Sequence, residues 1–201
     1  MDKEDRIRFN RAQSESFDGL YDRFLVDLAA DVVERMGRIV AAGAIAPGET
    51  VLDVGTGTGV LLPQIHACEP GRVVVCDLSE KMLEQVAHRH PQVERHHCDI
   101  CDLDLPADSL NVVFMNGMFG NIADKPRALR NVARMLRPGG RAVISHPEGR
   151  AYVEQIVRSD PFPIPPLPSE EEAQALFEAC GMHLRQYTDE ERLLIVVASA
   201  E

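Results

Sequence analysis

A glycine-rich turn directly follows a strand-like run in the first third of the chain. Residues 51–60 read VLDVGTGTGV, with one acid, Asp53, and glycine at every second position from 55 to 59. Glycine has no Cβ, so such a turn can bend sharply and bring backbone N–H groups close to a ligand. The apolar run before it is typical of a buried parallel strand, and a helix pattern follows at Val60. This order predicts a small-molecule site at the carboxyl edge of a sheet.

The glycine spacing argues against two nucleotide motifs. A G-x-G-x-x-G/A dinucleotide motif would need a small residue where Val60 or Leu62 stands, and a phosphate loop would need a lysine after the glycines. The stretch instead resembles the glycine motif of the Rossmann-like, class I S-adenosylmethionine-dependent methyltransferases, in which hydrophobic residues and an acid precede G-x-G-x-G. The resemblance implies S-adenosylmethionine as the cofactor and a small-molecule type of enzyme.

Within that resemblance the turn would hold the amino acid tail of the cofactor. Gly55 and Gly57 would contribute backbone groups, Asp53 would orient the loop through its carboxylate, and Gly59 completes the motif. Asn116, at the end of the predicted fourth strand, would lie near the methyl group and the tail.

The ribose and adenine need other residues. A carboxylate can accept hydrogen bonds from both hydroxyls of a ribose, and Asp77 ends the second strand pattern about 20 residues beyond the glycines. Its context, DLSEKML, resembles the family pattern D-x-S-x-x-M-L, which implies that Asp77 binds the ribose while Leu78 and Met82 shape the adenine pocket. The alternative is that Asp77 is a helix cap together with Ser79.

The third strand end would complete the adenine site. By position, the resemblance implies that Asp99 accepts the adenine amine and that the backbone N–H of Ile100 faces the ring. The segment SESFDGLYD also resembles, loosely, an F-D-x-x-A-x-x-Y-D segment of many such enzymes. It suggests Tyr21 as a lid contact to the cofactor, with an amphipathic packing residue as the alternative.

Methyl transfer is an in-line displacement at a carbon activated by positive sulfur, so the protein mainly aligns the reactants and excludes water. A general base helps if the acceptor is a hydroxyl, an amine or an acidic carbon. His146 in ISHPEG, at the expected end of the fifth strand, is the candidate base, with a loop histidine as the alternative interpretation. Glu148 and Tyr21 are weaker candidates.

No metal site is expected. The stretch His96-His97-Cys98 with Cys101 offers metal-binding side chains, but a structural zinc site needs four ligands in paired spacings. Strand alternation would also send His96 and His97 to opposite faces.

Charge and motifs favour a small-molecule acceptor over nucleic acid. The net charge is −11 and the pI is near 5.1, which repels phosphates at long range. A basic patch is conceivable, but the arginines at 127, 130, 134 and 137 recur at helical spacing and predict a solvated helix face. FMNGMFGN also lacks the [DNS]-P-P-[YFW] pattern of nucleic-acid amino methyltransferases of this fold.

The 201 residues suit one domain, predicted as a helical cap over 1–46 and a Rossmann-like core over 47–201. Apolar runs are too short to span a bilayer, and MDKEDRIRFNRAQSES has no signal-peptide core. We therefore expect a cytoplasmic protein whose five cysteines are reduced. The sequence does not predict an oligomeric state.

The pattern of elements predicts an α/β fold with a doubly wound, mostly parallel sheet. A long N-terminal helical tract, capped by Ser14 or Ser16, should end near Ala42. Proline-dense residues 161–168 should be a surface connection near the substrate mouth or a spacer. The predicted strands are 51–54, 72–76, 93–97, 111–116 and 141–146, with a closing antiparallel hairpin of 183–188 and 193–199; the predicted helices are 60–67, 80–89, 126–136 and 170–180, and Pro138-Gly139-Gly140 is predicted to stop the third of these.

Two other functions stay open at this point. One is a nucleotide-dependent oxidoreductase on a Rossmann-like fold, which the glycine spacing disfavours. The other is a non-catalytic S-adenosylmethionine-binding or regulatory protein, since the binding residues are present but no base is assured.

Overall fold

The computed structural model describes residues 1–19, 28–159 and 167–201, with the backbone alone at 156–159. Fourteen regular elements of these ranges position the site. They are α1 (Lys3–Gly19), α2 (Ala30–Ala42), β1 (Thr50–Val54), α3 (Leu62–His66), β2 (Arg72–Asp77), α4 (Glu80–Arg89), β3 (Glu94–His97), β4 (Leu110–Asn116), α5 (Lys125–Met135), β5 (Leu136–His146), α6 (Gly149–Ser159), α7 (Glu170–Glu178), β6 (Met182–Glu190) and β7 (Leu193–Ala200).

The strands form one seven-stranded sheet in the order β3-β2-β1-β4-β5-β7-β6. The first five are parallel, and β7 is antiparallel to both β5 and β6. This confirms the predicted α/β fold and its C-terminal hairpin. The chain reverses its direction of winding between β1 and β4, and at such a point open α/β sheets bind ligands beyond the strand ends.

Both faces of the sheet are buried, which explains why its central strands are almost wholly apolar. Val51 of β1 packs with Ile39 of α2 and Leu62 of α3 on one face. Leu52 packs on the other face, in a core that includes Leu129 of α5 and residues of α7. Because side chains alternate between the two faces along β1, this strand contributes to both cores. The polar groups lie at the carboxyl edge of the sheet.

The N-terminal tract differs from the prediction. Helix α1 begins at Lys3, where Asp2 accepts a hydrogen bond from the N–H of Asp5, so Ser14 and Ser16 lie inside the helix and do not cap it. The chain is not helical at Leu28, so α1 and α2 are separate, although α2 ends at Ala42 as expected.

Two other boundaries were predicted wrongly. Strand β5 begins at Leu136 and includes Pro138-Gly139-Gly140. This part of the strand lies opposite a register shift between Leu110 and Val112 of β4. Helix α3 is shorter than expected and begins next to Pro63.

The arginines that were predicted to share one helix face do not all lie on one helix. Arg137 and Arg141 lie on β5, and Arg141 donates to Glu49 and to the carbonyls of Gly43 and Ala44, which ties β5 to the turn after α2. In the described part of the chain, no helix is long and apolar enough to cross a membrane.

Candidate cofactor site

All three glycines of the turn after β1 have a positive φ, at 62°, 54° and 82° for Gly55, Gly57 and Gly59. Their surroundings differ. A Cβ on Gly55 would lie 2.8 Å from Cγ of Met118, and one on Gly59 would lie 2.9 Å from Cδ1 of Leu62. A Cβ on Gly57 would meet no atom within 4 Å. Close packing therefore requires two of the glycines, whereas Gly57 borders open space that a ligand can enter.

Asp53 lies behind the turn and is only 2% exposed. Its Oδ2 accepts a hydrogen bond of 2.7 Å from the hydroxyl of Thr56. Burial raises the pKa of Asp53 to about 7; the Thr56 bond opposes that rise and the nearby charge of Asp77 adds to it. The carboxyl group thus holds the turn through Thr56 and changes charge near neutral pH.

Asp77 joins the end of β2 to the glycine turn. Its Oδ2 accepts the N–H of Gly57 at 2.9 Å, and its Oδ1 accepts the N–H of Ser79 at 2.9 Å. Burial raises its pKa, and these backbone donors lower it. The cap of α4 is Ser79, whose Oγ accepts from the N–H of Met82, and not Asp77. Beside the N–H groups of Gly57, Ser79 and Leu78, the Asp77 carboxylate still has acceptor capacity that a ribose hydroxyl could use.

The residues predicted for adenine lie at the ends of β2 and β3. Leu78 is half-buried, and its carbonyl accepts from the hydroxyl of Ser14 at 2.9 Å. Ile100 and Met82 are buried at 4% and 2% exposure. These apolar side chains and the Asp77 carboxylate follow adjacent strands, so the fold brings them to the same edge.

Asp99 has partners that the sequence analysis missed. Its Oδ1 accepts from the N–H of Cys101 at 2.9 Å, and its Oδ2 accepts from Nδ2 of Asn10 at 2.7 Å and from the guanidinium of Arg6. The same guanidinium donates to both oxygens of Asp102. Helix α1 is therefore fixed across the predicted adenine end of the site.

At the neighbouring end of β4, Oδ1 of Asn116 accepts a hydrogen bond of 2.9 Å from the hydroxyl of Ser145. The N–H of Gly117 donates to the carbonyl of Ser145 at 2.8 Å. These bonds fix the carboxamide of Asn116 with its oxygen towards β5, so its Nδ2 is the group that can donate to a ligand.

His146 ends β5, and its Nδ1 accepts the N–H of Glu148 at 3.2 Å. Burial lowers the pKa of His146 to about 4. The ring is then neutral at pH 7 and carries its proton on Nε2. The geometry favours a hydrogen-bond donor at this position and not the general base that the sequence analysis considered.

Glu148 is held in an ion-pair network. One of its oxygens accepts from Arg35 at 2.9 Å and the other from Arg192 at 2.8 Å, and both arginines also bind Asp31. The network ties α2 to the loop after β5. Because both oxygens accept from guanidinium groups, Glu148 positions the loop and is poorly suited to take a proton.

The histidines near β3 do not come together as ligands. His96 bonds to Glu94 at 2.7 Å, and His97 donates to the carbonyl of Leu78 at 2.9 Å. Within residues 1–19, 28–159 and 167–201, no group of three or more His, Cys, Asp or Glu side chains is placed to hold a metal ion. Tyr21 and residues 161–166 lie outside the described residues.

The sequence of this edge matches a known family model. Residues 51–140, which run from β1 into β5, match the model described as a methyltransferase domain. Residues 51–140 therefore form a methyltransferase domain, and the chain has the fold of the class I S-adenosylmethionine-dependent methyltransferases. The methyl donor of this family is S-adenosylmethionine.

Curated relatives of the chain include enzymes named for different acceptors. The chain is 29% identical over 172 residues to the O-methyltransferase resE of Aspergillus sclerotiorum, covering 78% of this chain and 63% of that protein. It is 34% identical over 141 residues to an arsenite methyltransferase of Halobacterium salinarum, covering 67% and 34%. It is 34% identical over 116 residues to a demethylmenaquinone methyltransferase of Clavibacter sepedonicus, covering 55% and 47%. The chain spans less than two thirds of the length of each of these relatives.

Solved structures show the same fold. A chain of the complex that contains the Trm112 methyltransferase activator of Haloferax volcanii superposes with a TM-score of 0.74 at 21% identity, covering 96% of this chain and 97% of that one. A SAM-dependent methyltransferase from Aquifex aeolicus gives a TM-score of 0.69 at 20% identity, covering 86% and 94%.

The residues at this edge of the sheet fit an adenosyl cofactor. Gly57 borders open space beside the Asp77 carboxylate, and apolar side chains follow at the next strand end. A carboxylate for the diol, exposed backbone for the tail and an apolar slot for the ring are the three surfaces that such a molecule requires.

Proposed function

We propose that the protein transfers the methyl group of S-adenosylmethionine to a small-molecule acceptor by in-line displacement. The observation that carries the proposal is the hydrogen bond between Gly57 and Asp77, because it joins the open turn to the carboxylate that we assign to the ribose diol, within the methyltransferase domain. The sulfonium of the cofactor supplies the activated methyl carbon. The protein would hold the two reactants in line and keep water away.

Each predicted cofactor residue except Tyr21, which lies outside the described residues, has a role in this proposal. Asp77 binds the ribose hydroxyls, and Gly55 and Gly57 offer backbone to the amino acid tail. Asp53 and Gly59 shape the turn, while Asn116 donates near the methyl group. The adenine ring lies between Leu78 and Ile100 above Met82, with Asp99 accepting its amine. Residues 1–46 act as a cap, of which α1 covers the site and α2 packs in the core.

The side chains at the end of β5 narrow the class of acceptor. His146 is neutral and has a proton to donate, and Glu148 is engaged by two arginines. Neither is suited to deprotonate an unreactive hydroxyl. We therefore infer an acceptor whose reacting atom is nucleophilic at neutral pH without losing a proton to the protein, such as the ionised oxygen of an acidic phenol. Nε2–H of His146 would donate to its oxygen.

The cofactor half of the proposal can be tested by calorimetric titration with S-adenosylmethionine, S-adenosylhomocysteine and NAD. We expect the two adenosyl ligands to bind and NAD not to bind. Asp77→Ala should weaken binding by tenfold or more, since two charge-assisted hydrogen bonds are worth roughly 1.5–3 kcal/mol each. Asp104→Ala is the matched control, because the Asp104 side chain is 99% exposed. Binding of NAD alone would favour the oxidoreductase and reject the proposal.

The acceptor half of the proposal can be tested by measuring the transfer of a labelled methyl group to a panel of phenols, thiols and amines. A second candidate function, binding without catalysis, is favoured by the lack of a poised base at His146 and Glu148. Labelled product from any acidic hydroxyl in the panel would exclude it. Tight cofactor binding with no product from any class would favour it and reject the catalytic proposal.

A further inference from the structure

The carboxamide of Asn10, on α1, is engaged at one end only. Its Nδ2 donates to Oδ2 of Asp99 at 2.7 Å. A carboxylate that is paired with an arginine can accept hydrogen bonds but not donate them, so this bond fixes which end of the amide carries the nitrogen. Among the residues that the structure describes, Oδ1 of Asn10 has no partner, and this oxygen is not enclosed. An oriented acceptor is therefore free beside Asp99.

The neighbours of Asn10 on α1 hold this amide in place. Four residues before it, Arg6 is 2% exposed and ion-paired, and three residues after it, Gln13 is 3% exposed. Four residues after it, Ser14 donates to the carbonyl of Leu78 at 2.9 Å. Residues three and four apart share a helix face, so Asn10 lies on the face that docks on the ends of β2 and β3.

An open groove of about 340 Å³ borders the amide, within the range of roughly 300–1,000 Å³ that is usual for small-molecule sites. Its lining residues are Asn10, Arg11, Ser14, Glu15 and Leu78. Leu78 directly follows Asp77, the carboxylate that we assign to the ribose. The groove thus reaches from the side chain proposed to contact the adenine ring to the amide that binds Asp99.

Asp99 alone has little capacity left for the adenine amine. Its Oδ1 accepts from the N–H of Cys101, and its Oδ2 accepts from Asn10 and Arg6. A carboxylate offers about four acceptor positions, so three bound donors leave room for one more. The exocyclic amine of adenine carries two N–H groups. The second of them needs a different acceptor.

We propose that Asn10 is a specificity-determining residue for the cofactor, whose Oδ1 accepts one N–H of the adenine amine while Asp99 accepts the other. This inference rests on the proposed function, which places the adenine beside Leu78. A purine with an oxo group in place of the amine would turn an acceptor towards two acceptors and leave all three unpaired. The pair of Asn10 and Asp99 would thus select adenine over such a base.

The test compares adenosine with purine riboside, which is the same nucleoside without the amine, by calorimetric titration. The wild type should bind adenosine more tightly. Asn10→Leu, which keeps the size of the side chain and loses the acceptor, should lower the ratio of the two affinities by about three- to tenfold, as expected for one hydrogen bond. The change should come from weaker binding of adenosine.

Asp18→Ala is the matched control, because it also loosens α1 but about two turns away from Asn10. It removes the acceptor of the hydrogen bond that Ser79 donates to the helix. Both affinities should change by the same factor in this variant, so their ratio should equal that of the wild type.

The outcomes separate this inference from the proposed function. If Asn10→Leu loses the same factor of affinity for both nucleosides, Asn10 only holds α1 in place, and the inference is overturned while the proposed function stands. Equal binding of both nucleosides by the wild type also overturns the inference. S-adenosylhomocysteine is titrated in parallel, and if the wild type does not bind it, the proposed function fails and the inference fails with it.

Discussion

The N–H of Glu148 donates to Nδ1 of His146 across 3.2 Å, at the point where β5 leaves the sheet. The same Glu148 is held through its carboxylate by Arg35 and Arg192. The orientation of the imidazole is therefore set by a loop that is itself anchored to α2 and to the turn between β6 and β7. A histidine fixed in this way carries its proton on Nε2, the nitrogen that does not bond to Glu148.

The first prediction concerns the titration of His146. Its pKa of about 4 lies below the ordinary histidine value, so between these values the unfolded chain binds a proton that the folded chain does not. The stability that this contributes is present above pH 6.5 and is lost as the pH falls towards 4. Imidazole ¹⁵N spectra should show a neutral Nε2–H tautomer at pH 7, assigned with His146→Gln. A cationic ring at pH 6 would contradict this.

The second prediction concerns Gly57, whose φ is 54° with open space on its Cβ side. A side chain costs roughly 1–2 kcal/mol in left-handed backbone, so Gly57→Ala should lower the free energy of unfolding by about that amount. Its methyl group would also enter the open space that Gly57 borders and weaken the binding of S-adenosylhomocysteine. Urea unfolding and calorimetry measure the two effects.

The control for that substitution is Gly37→Ala, in the interior of α2, where a Cβ likewise meets no atom within 4 Å. Here the backbone is helical, and alanine should raise stability by about 0.5–1 kcal/mol. The two variants should thus shift stability in opposite directions. Equal shifts would mean that the turn relaxes and that its positive φ is not required.

Local patterns predicted the sheet well. The apolar run at 51–54 and the switch to helical periodicity at 80–89 are short-range signals, and β1 and α4 follow them closely. The contacts of α1 could not be predicted in this way. Arg6 and Asn10 reach Asp99 across about half the chain, and a helix face that docks through polar groups has no hydrophobic stripe to reveal it. The helical spacing of Arg6, Asn10 and Gln13 was the sequence signal from which this polar face of α1 could have been predicted.

The third prediction concerns the pH dependence that Asp53 produces. Burial raises its pKa to about 7, so between pH 4 and 7 the folded chain holds a proton that the unfolded chain releases. The contribution of Asp53 to stability therefore falls as the pH rises through this window, by at most about 1.4 kcal/mol per pH unit. Asp53→Asn should remove that fall while still accepting the Thr56 hydroxyl.

The measurement is urea unfolding of both proteins at pH 5 and pH 8. The stability of Asp53→Asn minus that of the wild type should be larger at pH 8 than at pH 5. The subtraction cancels the titration of groups that do not interact with Asp53. A difference that does not change with pH would show that Asp53 is ionised throughout.

The fourth prediction concerns Arg6, a buried cation at 2% exposure that binds both Asp99 and Asp102. Arg6→Met leaves Asp99 without this cation, whereas Asp102 is 46% exposed and keeps its ion pair with Arg127. Removing one partner of a buried ion pair costs roughly 3–5 kcal/mol, and here the low end of that range applies because only Asp99 is largely buried. Because α1 is held at the strand ends by side-chain hydrogen bonds and is not part of the sheet, the helix can detach while the sheet stays folded. Hydrogen exchange should therefore speed up in α1 and stay unchanged in β1 and β4. Arg8→Met, at a side chain that is 78% exposed, should leave exchange unchanged. Equal protection of α1 in the wild type and Arg6→Met would show that its other bonds to Leu78 and Ser79 suffice, and that Arg6 does not hold the cap in place.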